Sequence, residues 1–152
     1  RRFFSRVCTT HSYDERIETV RNLKQAGLKV CSGGLFGLGE DWSDRIEMAF
    51  TLRELAVDSV PLNFLIPIPG TALADVRPLS PHEALWIIAL YRYILPSTDI
   101  RICAGREKSL GDMQSWILRA CATGMMIGGY LTQPGRDVAE DLKMLKILGM
   151  EY

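Results

Sequence analysis

Short apolar runs alternate with segments of helical periodicity along this chain, and that alternation is the tightest limit on its fold. The runs fall at 28–33, 59–66 (SVPLNFLI), 99–104 and 124–128 (GMMIG). Continuous apolar runs of this length read as strands buried on both faces, and strands that alternate with helices build a parallel sheet with flanking helices. The first helical segment, 13–27, spaces Ile17, Val20 and Leu23 on one side and ends in Gly27 at the C′ position. The second, 41–55, carries Ile46, Met48, Ala49, Leu52 and Leu55. Ser80, Pro81 and Glu83 form an N-cap, a first-turn proline and a capping-box carboxylate in order. The helix they open runs to about Leu95, with Leu85, Ile88, Ala89 and Tyr93 expected on its packed side. A loop punctuated by Pro and Gly, PIPGTALADVRPL, precedes it, and helices over 110–122 and 136–148 complete the order α-β-α-β-α-β-α-β-α.

Two architectures fit that order, a doubly wound sheet and part of a (β/α)8 barrel. A whole barrel takes about 250 residues, so four units in 152 residues amount to a half-barrel. No linker or repeat beyond the βα rhythm divides the chain, so residues 1–152 read as a single unit. It starts at Arg1, and RRFF reads as the middle of something longer.

Charge excludes several classes of partner. Lys and Arg equal Asp and Glu at 18 each, without the clustered excess that a nucleic acid or an anionic membrane surface requires. No apolar run approaches the ~20 residues of a membrane span, and RRFFSRVCTT lacks the apolar core of a signal peptide. Cys8, Cys31, Cys103 and Cys121 form neither a CxxC pair nor a small-domain disulfide pattern, which fits a reducing, cytoplasmic setting.

Chemistry in a parallel α/β sheet gathers at the C-terminal strand ends. The stretch LKVCSGGLFGLGE delivers one thiol, Cys31, at the expected end of the first strand and then runs through glycines to Glu40. A thiol so placed serves as a metal ligand, a nucleophile or a packed core residue. Asn63 lies in the second strand, and Arg101 and Cys103 share one face of the third by period two. An Arg aimed at a barrel interior needs a partner. Cys121 reads as a small core residue, His82 as solvated and His11 as a loop residue, while Trp42, Trp86 and Trp116 read as packing. The glycine-rich loop 124–136 lacks the spacing of a phosphate loop.

The segments CTTHSYDERIETVRNLKQAGLKVCSGGLFGLGE, SVPLNFLIPIPGTAL, IRICAGRE and GGYLTQPGRDVAEDLKML, in this order over nearly the whole chain, resemble the biotin synthase family of radical S-adenosylmethionine enzymes. The resemblance implies a (β/α)8 barrel of which this chain is the C-terminal half. It also implies sulfur insertion into dethiobiotin, with the sulfur supplied by an auxiliary iron–sulfur cluster. The family's CSGG cysteine maps to Cys31, a cluster ligand, and the first arginine of RxxAGR maps to Arg101, an unusual fourth ligand. Residues 33–40 follow the pattern G-x-I-x-G-x-x-E with Leu35 in the Ile place. By resemblance Gly33, Leu35, Gly37, Glu40 and Ile66 lie along S-adenosylmethionine, and Asn63 lies near the bound substrates.

Three departures accompany the match. The CxxxCxxC triad for the catalytic [4Fe–4S] cluster is not in this sequence and is expected upstream, in the N-terminal half of the same chain, with two more ligands of the auxiliary cluster. Cys103 stands where many members carry Ser, which leaves the auxiliary cluster open between [2Fe–2S] and something larger with Cys103 as a ligand. The expected partners are dethiobiotin, S-adenosylmethionine, the N-terminal half and a second copy in a homodimer, with neither nucleic acid nor membrane. Two other readings compete: a different radical enzyme of the clan, such as the hydrogenase maturase or methylornithine synthase, and a non-catalytic fragment.

Overall fold

Three helix starts are set by capping boxes that the sequence encodes locally. Ser12 opens α1 (Tyr13–Gln25) with Glu15, Asp41 opens α2 (Trp42–Glu54) with Asp44, and Ser80 opens α3 (Pro81–Ile94) with Glu83. In each box the cap side chain accepts from the third residue's amide and that residue's carboxylate returns to the cap amide. At its far end α3 is closed by Arg92, which donates to the carbonyls of Leu95, Pro96, Thr98 and Cys121. The computed structural model describes residues 1–129 and 135–150. Besides two 3-10 turns (Phe4–Arg6 and Gly111–Met113), the remaining described elements are β1 (Gly34–Phe36), β2 (Ser59–Phe64), β3 (Asp99–Ile102), α4 (Arg106–Leu110), α5 (Trp116–Arg119), β4 (Gly124–Met125) and α6 (Val138–Ile147).

The strands form one parallel sheet in the order β1-β2-β3-β4. Neighbours in sequence are neighbours in the sheet, as in a barrel wall. A doubly wound sheet would reverse direction at a switch point. The sheet thus has the strand order of the expected half of a (β/α)8 barrel. Its helix-covered face holds the core: Val60, Leu62, Phe64, Ile100 and Ile102 are at most 1% exposed. Ala84, Ile87, Ile88 and Tyr91 of α3 pack there, and the Tyr91 ring meets Phe36 edge-on at 5.4 Å.

Several sequence expectations need correction. The strand expected over 28–33 becomes an isolated bridge between Cys31 and Ser59, and regular pairing starts only at Gly34. Pro61 is the cause. After the bond from the Ser32 amide to the Ser59 carbonyl, the parallel ladder calls on the amide of Pro61, which has none. The helix expected over 110–122 is split, because Gly111 takes a positive φ of 51° and starts a 3-10 turn (Gly111–Met113) before α5. On α3, Leu85 and Ile88 are buried but Ala89 is exposed and Tyr93 is 86% exposed; the packed stripe runs through Ala84, Ile87, Tyr91 and Ile94. Trp42, Trp86 and Trp116 lie outside the core, Trp42 and Trp86 against each other at 6.4 Å, and Cys121 is an exposed turn residue with φ 69°. The other strands are shorter than expected, and residues 130–134 of the glycine-rich loop lie outside the described residues. The apolar runs are covered on one face here, not on both.

Candidate functional site

Odd-numbered residues of β1, β2 and β3, and those directly flanking them, point away from the helices, so the uncovered face carries Gly33, Leu35, Pro61, Asn63, Arg101 and Cys103; in β4 the parity is reversed and Gly124 stands on that face. Register stacks these residues in levels. Cys31 lies beside Ser59 and Asp99, Arg101 beside Pro61 and Gly124, and Leu35 beside Asn63. Cys31 therefore enters at the start of the sheet and not at the C-terminal end of a strand, and the thiol is exposed.

Arg101 is exposed, and its guanidinium pairs with Asp99 at 3.3 Å. The Cys103 thiol is half-buried, and burial pushes its pKa up. The charge of Cys31 pushes it in the same direction, and Arg101 opposes both. Cys31 and Arg101 thus both act on the Cys103 thiol, with opposite sign. Among the described residues no group of three His, Cys, Asp or Glu side chains could hold a metal ion. Two thiols and a guanidinium make a partial donor set, and soft thiolates suit iron–sulfur chemistry. Beside Cys31, the Ser59 hydroxyl is buried without a hydrogen-bond partner, an unspent donor at the same level.

Asn63 is held at both ends. Its Nδ2 donates to the Gly34 carbonyl at 3.4 Å, and its Oδ1 accepts from the Ala104 amide at 3.1 Å. It ties β1 to the end of β3 across β2. Gly33 is required by contact, because a Cβ there would stand 2.0 Å from the Pro61 carbonyl oxygen. Gly37 has a φ of 90°, the left-handed region that Gly occupies without penalty.

The Glu40 carboxylate holds that turn. It accepts from the amides of Gly37 and Leu38 at 2.9 and 2.8 Å and from Arg45 Nε at 2.9 Å. Both partners of the ion pair are at least nine-tenths buried. Arg45 lies over the Trp42 ring at 4.6 Å, and its carbonyl accepts from the Tyr91 hydroxyl. Leu35, on the uncovered face, is exposed, and Ile66, past the end of β2, is half-buried. Sequence reasoning missed Ser59, Asp99 and Arg45. Period two already placed Asp99 on the face of Arg101, and Ser59 on the face of Asn63; the signal in Arg45 is its position five residues after Glu40.

A family model described as the Biotin and Thiamin Synthesis associated domain matches residues 61–151, more than half of the chain. The chain belongs to that family. It is also 57% identical over 152 residues to the biotin synthase of Syntrophotalea carbinolica, covering all of this chain and 46% of that protein. To the biotin synthase of Geotalea daltonii it is 61% identical over 150 residues, 99% of this chain and 46% of that protein. The match is to the C-terminal part of these proteins, so the chain spans about half the length of the curated relatives it matches. Among solved structures, methylornithine synthase (PylB) superposes with a TM-score of 0.74 at 26% identity, over 94% of this chain and 46% of that one. No described helix is long and apolar enough to cross a membrane.

Proposed function

We propose that this chain is the C-terminal half-barrel of a biotin synthase that inserts sulfur into dethiobiotin by radical S-adenosylmethionine chemistry. One observation carries the reading. Cys31, Arg101 and Cys103 share the uncovered face of a parallel barrel sheet, in a chain 57% identical to a biotin synthase. On this reading Cys31, with Arg101 or Cys103, holds an auxiliary iron–sulfur cluster, which when bound supplies the sulfur. An arginine stays protonated in proteins, so Arg101 is an awkward donor to iron, and a thiolate at Cys103 is the better ligand by charge and softness.

The remaining residues bind and orient. Gly33, Leu35, Gly37 and Ile66 line the adenosine side of S-adenosylmethionine, with Glu40 fixing the Gly37 turn from below. Asn63 meets dethiobiotin only through the edge of an amide already engaged on both sides. The N-terminal half supplies the ligands of the catalytic [4Fe–4S] cluster. The assembly is a cytoplasmic homodimer, and the fragment alone is inactive. The likeness to methylornithine synthase supports a second reading, another radical enzyme of the clan. Identity of 57% against 26% favours the first.

The test is Cys31→Ala in the full-length protein. The expected result is loss of the auxiliary cluster's iron, sulfide and absorption and of biotin formation, while S-adenosylmethionine cleavage persists. If cluster and biotin formation survive, Cys31 is structural and the reading falls. Cys103→Ser then decides the fourth position: unchanged iron, sulfide and spectrum leave it to Arg101.

A further inference from the structure

Arg106 is the largest wholly buried side chain described, and it is charged. It opens α4 directly after Gly105, in the turn that follows β3 and contains Cys103. Its guanidinium is shared among three separate parts of the chain. Nε donates to the Met126 carbonyl beyond β4 at 3.1 Å, NH1 to Gln114 Oε1, and NH2 to the Asp141 carboxylate on α6. Asp141 is also wholly buried, and its second oxygen faces Arg136 at 3.7 Å.

Stability alone does not account for this pair. Desolvating two charges costs several kcal/mol per ion, and apolar residues of like volume are often as stabilising. What such a pair fixes is register, and here the segment in need of it is plain. Gly105 has a φ of 84°, and a Cβ on it would stand 2.0 Å from the Phe64 carbonyl oxygen. The position must be Gly, and Gly by itself confines the backbone least. Residues 103–105 are held on the β2 side by Leu62, Asn63 and Phe64, through the Cys103 and Ala104 amides and the Ala104 carbonyl. On the opposite side the hold is Arg106.

We propose that Arg106 and Asp141 are positioning residues of the uncovered face. Their buried pair clamps the turn after β3 to the C-terminal helix and so sets where Cys103 stands relative to Cys31. The cofactor part of this inference rests on the biotin synthase reading; the placement of the two thiols does not.

The experiment uses the full-length protein, metal-free and after cluster reconstitution. Arg106→Met/Asp141→Leu removes both buried charges together, so neither is left unpaired, and only the partly exposed Glu107 and Arg136 each lose a partner; Asp141→Asn removes one charge. Ile117→Val, a wholly buried change outside the clamp, serves as the control for lost packing. In metal-free protein, phenylarsine oxide bridges two neighbouring thiols with loss of water and no change of oxidation state, and mass spectrometry locates the bridge. We expect the double variant to melt cooperatively, while Cys31–Cys103 bridging falls roughly tenfold or more, the scale of lost support around a metal site. The reconstituted auxiliary cluster should show a shifted absorption spectrum in the double variant and in Asp141→Asn, and none in the control. Bridging and spectrum equal to wild type in the double variant would overturn the proposal. So would a wild-type protein in which the reagent never joins the two thiols. If wild type reconstitutes no auxiliary cluster, the functional reading fails and the bridging result still decides the clamp.

Discussion

The two faces of the sheet share four strands and one backbone, yet they carry opposite chemistry. Toward the helices stand Val60, Leu62, Phe64, Ile100 and Ile102, each at most 1% exposed. Toward the open side stand Pro61, Asn63, Arg101 and Cys103, polar or interrupting residues that are half-buried or exposed. A period of two lets adjacent residues answer to different demands. The covered face is selected for shape and the open face for donors. A functional residue can therefore differ without touching the core beside it, as Cys103 directly follows the buried Ile102.

The sharpest way to break that division is by stability. Phe64→Ala empties a site between the Phe36 ring, 6.4 Å away, and the rest of the core. It should cost about 3–5 kcal/mol, whereas Cys103→Ser, one strand over on the other face, should cost about 0.5 kcal/mol. Urea unfolding of the two variants in the full-length protein checks this. Equal losses would mean that the open face is also core.

How much of this was legible depends on whether the deciding contact is local. Capping boxes sit within four residues, and the one that opens α3 was read as Ser80, Pro81 and Glu83; α1 and α2 were placed by apolar spacing, their boxes going unread. The common face of Arg101 and Cys103 followed from period two within one strand. The place of Cys31 did not, because it is set by the missing amide of Pro61 on a neighbouring strand, thirty positions along in sequence. The apolar spacing over 110–122 runs through Gly111 without a sign that the backbone turns there. On α3 two stripes fit helical spacing, and only the sheet chooses the one through Ile87 and Tyr91 over the one through Ala89 and Tyr93. The partner of Arg106, Asp141, is 35 residues away, and nothing short of the fold pairs them.

Asn63 sharpens the comparison, since it belongs to the open face by position and to the scaffold by its bonds. Asn63→Ala leaves the Ala104 amide without its acceptor and frees the Gly34 carbonyl. An unsatisfied, partly buried group costs about 1–3 kcal/mol, so this variant should fall between Phe64→Ala and Cys103→Ser in urea midpoint. A loss no larger than that of Cys103→Ser would show that water replaces the amide and that Asn63 is free to serve a ligand.

The smallest expected effect concerns the two thiols in metal-free protein. Burial raises the Cys103 pKa, the nearby charge of Cys31 raises it further, and Arg101 lowers it. A raised thiol pKa means that Cys103 stays protonated at neutral pH and is alkylated slowly, because the thiolate is the reactive form. Its alkylation by iodoacetamide should rise with pH to a midpoint above that of an ordinary cysteine. Cys31→Ala removes one of the two raising influences and leaves the larger, burial, in place, so the midpoint should move down while remaining above the ordinary value. Arg101→Gln removes the opposing charge and should move it up. Rates at Cys103, followed by peptide mass across pH, separate these directions. A midpoint that ignores Cys31→Ala would mean that the two thiols do not sense each other, and that the open face holds separate residues and not a site.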